Sequence, residues 1–234
     1  MSQEDFDVAS LAVYLHLTPQ QVEKLASRGK VPGRRVQGKW VFSFAEIHHW
    51  MEERMGVLEQ GELQRVEASL SPAVEDASDA PLARMLSVDS IAIPLRAKTK
   101  RSVIEEMVGL VDQTGMLWDV ERMIEAIWAR EEMQSTAMPN GVALLHPRRP
   151  LSNILGEPLM SLGVSPAGIP FGGRRSLTHV FFLICSTDDR GHLHTLARLT
   201  RMFQDDEFVP RLHDAEGAAA AKTVFDEIES NLLD

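Results

Sequence analysis

With 234 residues, 44% of them hydrophobic, the chain has enough apolar mass for one large core or two smaller ones. Its single cysteine, Cys185, excludes a disulfide framework and reads as a packed thiol in "THVFFLICS". A net charge of −10 argues against nucleic acid as a partner unless the charge is unevenly spread.

It is unevenly spread. From Lys24 to Ala45 there are six Lys or Arg and no Asp or Glu, a basic island in an acidic chain. The start "MSQEDFD" is acidic where a signal peptide needs cations and an apolar centre. No apolar run approaches the roughly 20 residues of a membrane span, so a cytoplasmic protein without membrane insertion is expected.

The first predicted helix follows Asp7 over "DVASLAVYLHL", with Asp7 as its cap and Phe6 stapled onto Leu11. The second begins in "TPQQVEKLASRG": Thr18 and Gln21 have capping-box spacing, Pro19 takes the first helical position, and Gly29 ends it. Val22, Leu25 and Ala26 face inward, leaving Gln20, Lys24, Ser27 and Arg28 outside. "RRVQGKWVFS" then reads as a hairpin turning at Gln37 and Gly38, and Ser43 with Glu46 repeats the capping-box spacing before a third helix.

Helix, turn, helix, basic hairpin and helix in this order resemble the excisionase-type and MerR-like winged helix-turn-helix family, over about Phe6 to Met55. The resemblance implies duplex DNA as a partner. Gln20, Gln21, Lys24, Ser27 and Arg28 would lie in the groove, and Arg34, Arg35 and Lys39 on the backbone. A protein-docking module is the competing reading. His16, His48 and His49 lack metal-ligand spacing, and no metal or other cofactor is expected.

Residues 56–85 turn acidic, with six Asp or Glu against two Arg, and Ser71, Pro72, Ser78 and Pro81 interrupt any long helix. The expected division is a helix-turn-helix domain at 1–55, a linker at 56–85 and a second domain at 86–234. Ile47, Trp50, Met51, Val57, Leu58, Leu63 and Val66 offer an intermittent apolar stripe for homodimer pairing. Packing within the third helix accounts equally well for the first three.

Beyond Arg84 the pattern alternates. "RSVIEEMVGLVDQTG" and "DVERMIEAIWAREEM" are amphipathic helices, and strands are predicted at 142–145, 159–164 and 177–186. Helices starting near His192 and covering 218–233 complete an α/β fold, a mixed sheet with helices on its faces. The 177–186 strand is too apolar for an edge.

"REEMQSTAMPNGVALLHPR" brings a strand to its end on His146, and "VFFLICSTDDRGHLHTLARL" places a histidine-bearing helix after an apolar strand and an acidic turn. The two segments resemble the enzyme IIA components of the phosphoenolpyruvate-dependent sugar phosphotransferase system, of the fructose, mannitol and nitrogen-regulatory type. The resemblance implies a phosphohistidine carrier with His146 as acceptor, Arg130 holding phosphoryl oxygens and His192 donating to them. It further implies that Ser135, Thr136 and Asn140 orient the imidazole or the phosphate. The chain departs from the family pattern at Ala137, Met138 and Pro139, where glycines are usual, and at Leu145, where a proline is usual.

Besides a protein-binding regulator that is not phosphorylated, two functions are compatible with this pairing. One is a DNA-binding transcriptional regulator phosphorylated on His146 by a phosphocarrier protein. The other is a IIA component relaying phosphate to a IIB partner or sugar permease, its N-terminal module serving for docking.

Overall fold

The computed structural model describes residues 5–15, 17–43, 46–47, 50–51, 81–172 and 177–233. His16, His48, His49, most of the expected third helix and most of the linker, including the distal half of the apolar stripe, lie outside the described residues. The chain divides into two compact units. One is Met1–Asp79 with Leu193–Arg201, the other Ala80–His192 with Met202–Asp234.

In the first unit, α1 (Val8–Tyr14) opens on a capping box. Asp7 Oδ1 accepts from the Ser10 amide at 2.7 Å and Ser10 Oγ accepts from the Asp7 amide at 2.9 Å. The Asp7 carboxyl is held below its ordinary pKa, chiefly by the Ser10 amide. Phe6 is tied to the end of the hairpin. It pairs antiparallel with Phe42, at 2.8 and 2.9 Å, and its ring lies 4.8 Å from that of Tyr14.

The second helix, α2 (Pro19–Ser27), has the expected Thr18–Gln21 capping box. Gly29 at φ +65° ends it, with the Lys30 amide reaching back to the Leu25 carbonyl at 2.9 Å. The antiparallel hairpin β1 (Arg34–Val36) and β2 (Lys39–Val41) turns through Gln37 and Gly38, both at positive φ, the geometry that matches strand twist. Gly33 has a packing reason: an added Cβ would lie 2.6 Å from the Phe42 ring. Glu46, Ile47, Trp50 and Met51 are helical, Ile47 and Met51 are buried, and Trp50 Nε1 donates to the Lys30 carbonyl at 2.8 Å.

The second unit is a four-stranded mixed sheet in the order β3-β5-β6-β4, formed by β3 (Ile91–Ala92), β4 (Val142–Leu145), β5 (Leu159–Pro170) and β6 (Leu177–Cys185). β5 and β6 are antiparallel, while β3 on β5 and β4 on β6 are parallel. β6 is interior because its alternate residues are apolar on both faces. Phe181, Leu183 and Cys185 join the core beneath α3 (Lys100–Asp112) and α4 (Val120–Met133). Phe182 points the other way, its ring 6.4 and 6.0 Å from those of Phe208 and Phe225. Burial pushes the Cys185 thiol up to about 12, so the sulfur stays protonated at neutral pH.

Besides the two-residue β3, two elements escaped the periodicity. β5 runs on to Pro170 because a register shift between Val164 and Ile169 absorbs "SPAG", with Gly168 at φ +70°. The six-residue α6 (Phe208–His213) is too short to show a helical repeat. α5 (Asp189–Met202) starts earlier than expected, and α7 (Ala218–Leu233) closes the chain. From α7 the buried Glu229 carboxylate accepts from the Leu82 and Ala83 amides at 2.5 and 2.7 Å, tying the unit's last helix to its beginning.

Candidate functional site

His146 follows the last residue of β4, an edge strand whose open side is covered by the preceding segment. Ala137 bridges Ala143, the Met138 amide donates to the Val142 carbonyl at 2.8 Å, and the Leu144 amide donates to Thr136 at 3.4 Å. Residues 136–144 are therefore a hairpin, turning at Pro139 and Asn140 with Gly141 at φ +80°. The turn forms despite Ala137, Met138 and Pro139, because the one position needing a left-handed residue keeps its glycine.

The His146 ring is 4% exposed and its Nδ1 lies 2.9 Å from the Leu144 carbonyl oxygen. A carbonyl only accepts, so in the neutral ring Nδ1 carries the proton and Nε2 the lone pair. His192, 1% exposed near the start of α5, brings its ring centroid to 5.0 Å from that of His146, tilted by 54°. Its Nδ1 is 3.3 Å from the hydroxyl of Ser186, the residue that follows β6. A hydroxyl can donate or accept, and in the tautomer where it donates to Nδ1 the His192 proton is on Nε2.

Arg130 is buried in the last turn of α4, where its Nη1 donates to the Gln134 carbonyl at 2.9 Å. Its Nε is buried without a hydrogen-bond partner among the described residues. Ser135 and Thr136 do not point their hydroxyl protons at an imidazole. Both donate to the Glu131 carboxylate, at 2.6 and 2.8 Å. Asn140 does not join the group either. It stands at the opposite end of β4 from His146, with roughly 13 Å of strand between them, and its Oδ1 accepts from the Val142 amide at 3.4 Å. Its side chain shapes the turn and lines a separate pocket with His179 and His213.

Sequence reasoning missed Glu131, Lys100 and Ser186. Glu131 was visible as the middle residue of "REE", but its role depends on Lys100, 31 positions away, which no local pattern reveals.

In the first unit, Gln20, Lys24, Ser27, Arg35 and Lys39 line one surface groove of about 730 Å³ with Trp40. Arg35 lies over the Trp40 ring at 5.0 Å. Three of the expected residues stand apart from this groove. Gln21 folds its amide oxygen back onto the Thr18 amide at 2.8 Å, Arg28 caps the helix end, and Arg34 pairs with Asp5 at 2.9 Å on the other face of the hairpin. Asp7 and Glu23 also line the groove, acidic groups that the count of cations did not bring out.

Among the described residues, no group of three or more His, Cys, Asp or Glu is placed to hold a metal ion. Nor is any helix among them long and apolar enough to cross a membrane.

The fructose-specific EIIABC component of the phosphotransferase system from Bacillus subtilis is 29% identical over 142 residues, which are 59% of this chain and 22% of that protein. The mannitol-specific phosphotransferase enzyme IIA component of Staphylococcus aureus is 27% identical over 150 residues, 64% of this chain and 100% of that protein. Two solved structures share the fold of the second unit. Nitrogen regulatory protein IIA-Ntr from Neisseria meningitidis has a TM-score of 0.55 at 18% identity, covering 62% of this chain and 98% of that one. IIA mannitol from Escherichia coli has a TM-score of 0.53 at 17% identity, covering 59% and 97%. A helix-turn-helix domain family matches residues 6–55. Residues 84–228 match the family described as phosphoenolpyruvate-dependent sugar phosphotransferase system, EIIA 2, and the chain belongs to it, with a helix-turn-helix domain ahead of the EIIA domain.

Proposed function

We propose that this protein is a DNA-binding transcriptional regulator whose EIIA domain accepts a phosphoryl group on His146 from a phosphocarrier protein. The observation that carries the reading is the imidazole pair. One ring has its lone pair placed on Nε2 by a backbone carbonyl, and a second ring lies 5.0 Å away within the same unit. In the same chain, a helix-turn-helix unit presents cations along one groove.

Nε2 of His146 attacks phosphorus, the N–P bond of the donor's phosphohistidine breaks, and the donor ring leaves with its electron pair. The product ring keeps its Nδ1 proton and is cationic, and the Leu144 carbonyl stabilises it. Transfer of this kind needs positioning and compensation of charge on the equatorial oxygens more than covalent help. Arg130 and the Nε2–H of His192 supply that compensation.

The competing reading, relay of phosphate to a IIB partner, draws support from the match along the whole of a free-standing mannitol IIA component. Both readings require the acceptor. After incubation with phosphoenolpyruvate, the general phosphotransfer enzyme and the carrier, intact mass is expected to show one acid-labile phosphate on the wild type. His146→Ala takes none, and His192→Ala takes it more slowly. Equal labelling of His146→Ala, or none on the wild type, removes the proposed acceptor. Titration of duplex DNA with phosphorylated and unphosphorylated protein then separates regulator from relay, since the relay reading expects no DNA affinity in either form.

A further inference from the structure

The carboxylate of Glu131 is 1% exposed, yet each of its oxygens is fully engaged. Oε1 accepts from Lys100 Nζ at 3.0 Å and Ser135 Oγ at 2.6 Å. Oε2 accepts from the Thr136 amide at 2.9 Å and its hydroxyl at 2.8 Å. Three elements meet here: the first turn of α3, the last turn of α4 and the arm of the hairpin that covers β4. The arm is held from behind as well. An added Cβ at Gly172 would lie 2.5 Å from Ala137 Cβ, and the Lys100 ammonium sits 4.8 Å from the centroid of the Phe171 ring.

A buried carboxylate is costly unless its lone pairs are satisfied, so such a group fixes whatever satisfies it. What it fixes leads to His146. Thr136, clamped through amide and hydroxyl, accepts from the Leu144 amide through its own carbonyl, and the Leu144 carbonyl receives the Nδ1 proton of His146. We infer that Glu131 is a positioning residue for phosphoryl transfer, holding the Leu144 carbonyl through Thr136 so that His146 keeps its proton on Nδ1 and its lone pair on Nε2. Lys100 supplies the countercharge that lets a carboxylate do this in a buried site. The inference rests on His146 being the acceptor. Neither Glu131 nor Lys100 touches the reacting atoms in it.

The test uses the full chain labelled with ¹⁵N-histidine and two readouts, the single-turnover rate of phosphorylation against donor concentration and the tautomer of His146 from two-bond proton–nitrogen correlations. Glu131→Gln is expected to lower the maximal rate by about tenfold with the half-saturating donor concentration unchanged, because docking is untouched. His146 should then populate both tautomers. Thr136→Val should give about a threefold loss, and Thr136→Ser should restore the wild-type rate and tautomer. Glu132→Gln, the exposed neighbour, serves as control and should change neither readout.

A wild-type Nδ1–H tautomer in both Glu131→Gln and Thr136→Val overturns the inference, whatever the rate does. If Glu131→Gln does not fold, as judged by circular dichroism, the Thr136 pair decides. If the wild-type protein takes no phosphate, the acceptor assignment fails and the inference with it, and a changed tautomer in Glu131→Gln then shows only that Glu131 orients the ring.

Discussion

The two units place their polar residues at opposite depths. In the helix-turn-helix unit the candidate residues are on the surface: the side chain of Arg34 is 62% exposed, and Gln20, Lys24, Ser27 and Lys39 are all exposed. In the EIIA unit the candidate residues are below the surface: Arg130, Glu131, His146, Ser186 and His192 are all 7% exposed or less. Exposed cations act by themselves through solvent, so their number and order carry the meaning. Buried polar groups must satisfy one another, so their meaning lies in pairs that are distant in sequence.

Stability should divide along the same line. The EIIA unit rests on a two-sided core, with Phe182 completely buried among Phe203, Phe208 and Phe225. Phe182→Ala leaves a cavity beneath α6 and α7 and should cost about 3–5 kcal/mol, the largest single effect anticipated here. Chemical denaturation of the full chain, followed by near-ultraviolet circular dichroism, checks it. A loss below about 1 kcal/mol would break the contrast, since this unit would then not depend on its interior.

The same contrast explains what was legible in the sequence. Local signals marked α2 well: the Thr18–Gln21 box, Pro19 and Gly29 each act within a few residues of where they stand. The mixed sheet was legible from the doubly apolar "VFFLIC", and His146 and His192 from two motifs that end strands or begin helices. Glu131 was not legible as a clamp, nor Ser186 as the partner of His192, because tertiary packing alone brings those groups together. Asn140 was overread: nearness in sequence to His146 is not nearness in space along an extended strand. Gln21 was read twice, as a cap and as a DNA contact, and its geometry uses it for the cap.

The two wing arginines sharpen the comparison on the exposed side. They are adjacent in sequence, and the strand's alternation sends them to opposite faces. Arg35 lies on Trp40 in the groove, whereas Arg34 is compensated by Asp5. If the groove is the DNA surface, Arg35→Ala should lower affinity by about tenfold and reduce the slope of log affinity against log salt by about one. Arg34→Ala should lower it only about twofold, as expected for an exposed, already paired cation. Fluorescence anisotropy with a labelled duplex at several salt concentrations measures both. A larger loss in Arg34→Ala than in Arg35→Ala would mean that the hairpin lies on DNA through its other face, and equal losses that the groove face is not preferred.

The smallest effect concerns the caps. Thr18 closes α2 from the solvent side: its hydroxyl accepts from the Gln21 amide at 3.3 Å, and the Gln21 side chain returns to the Thr18 amide at 2.8 Å. A helix of nine residues has few internal hydrogen bonds with which to offset the loss of an end. Thr18→Ala should therefore cost about 1 kcal/mol, with the groove face of α2 otherwise intact. Thr18→Ser keeps the hydroxyl and should lose only a fraction of that. Amide exchange at Gln20, Gln21 and Val22 is the local readout: it should quicken about fivefold in Thr18→Ala, the factor corresponding to about 1 kcal/mol. Unchanged exchange at these amides would show that packing of Val22 and Ala26, not the cap, holds the start of α2, and the helix-turn-helix unit would then resemble the EIIA unit in depending on its interior.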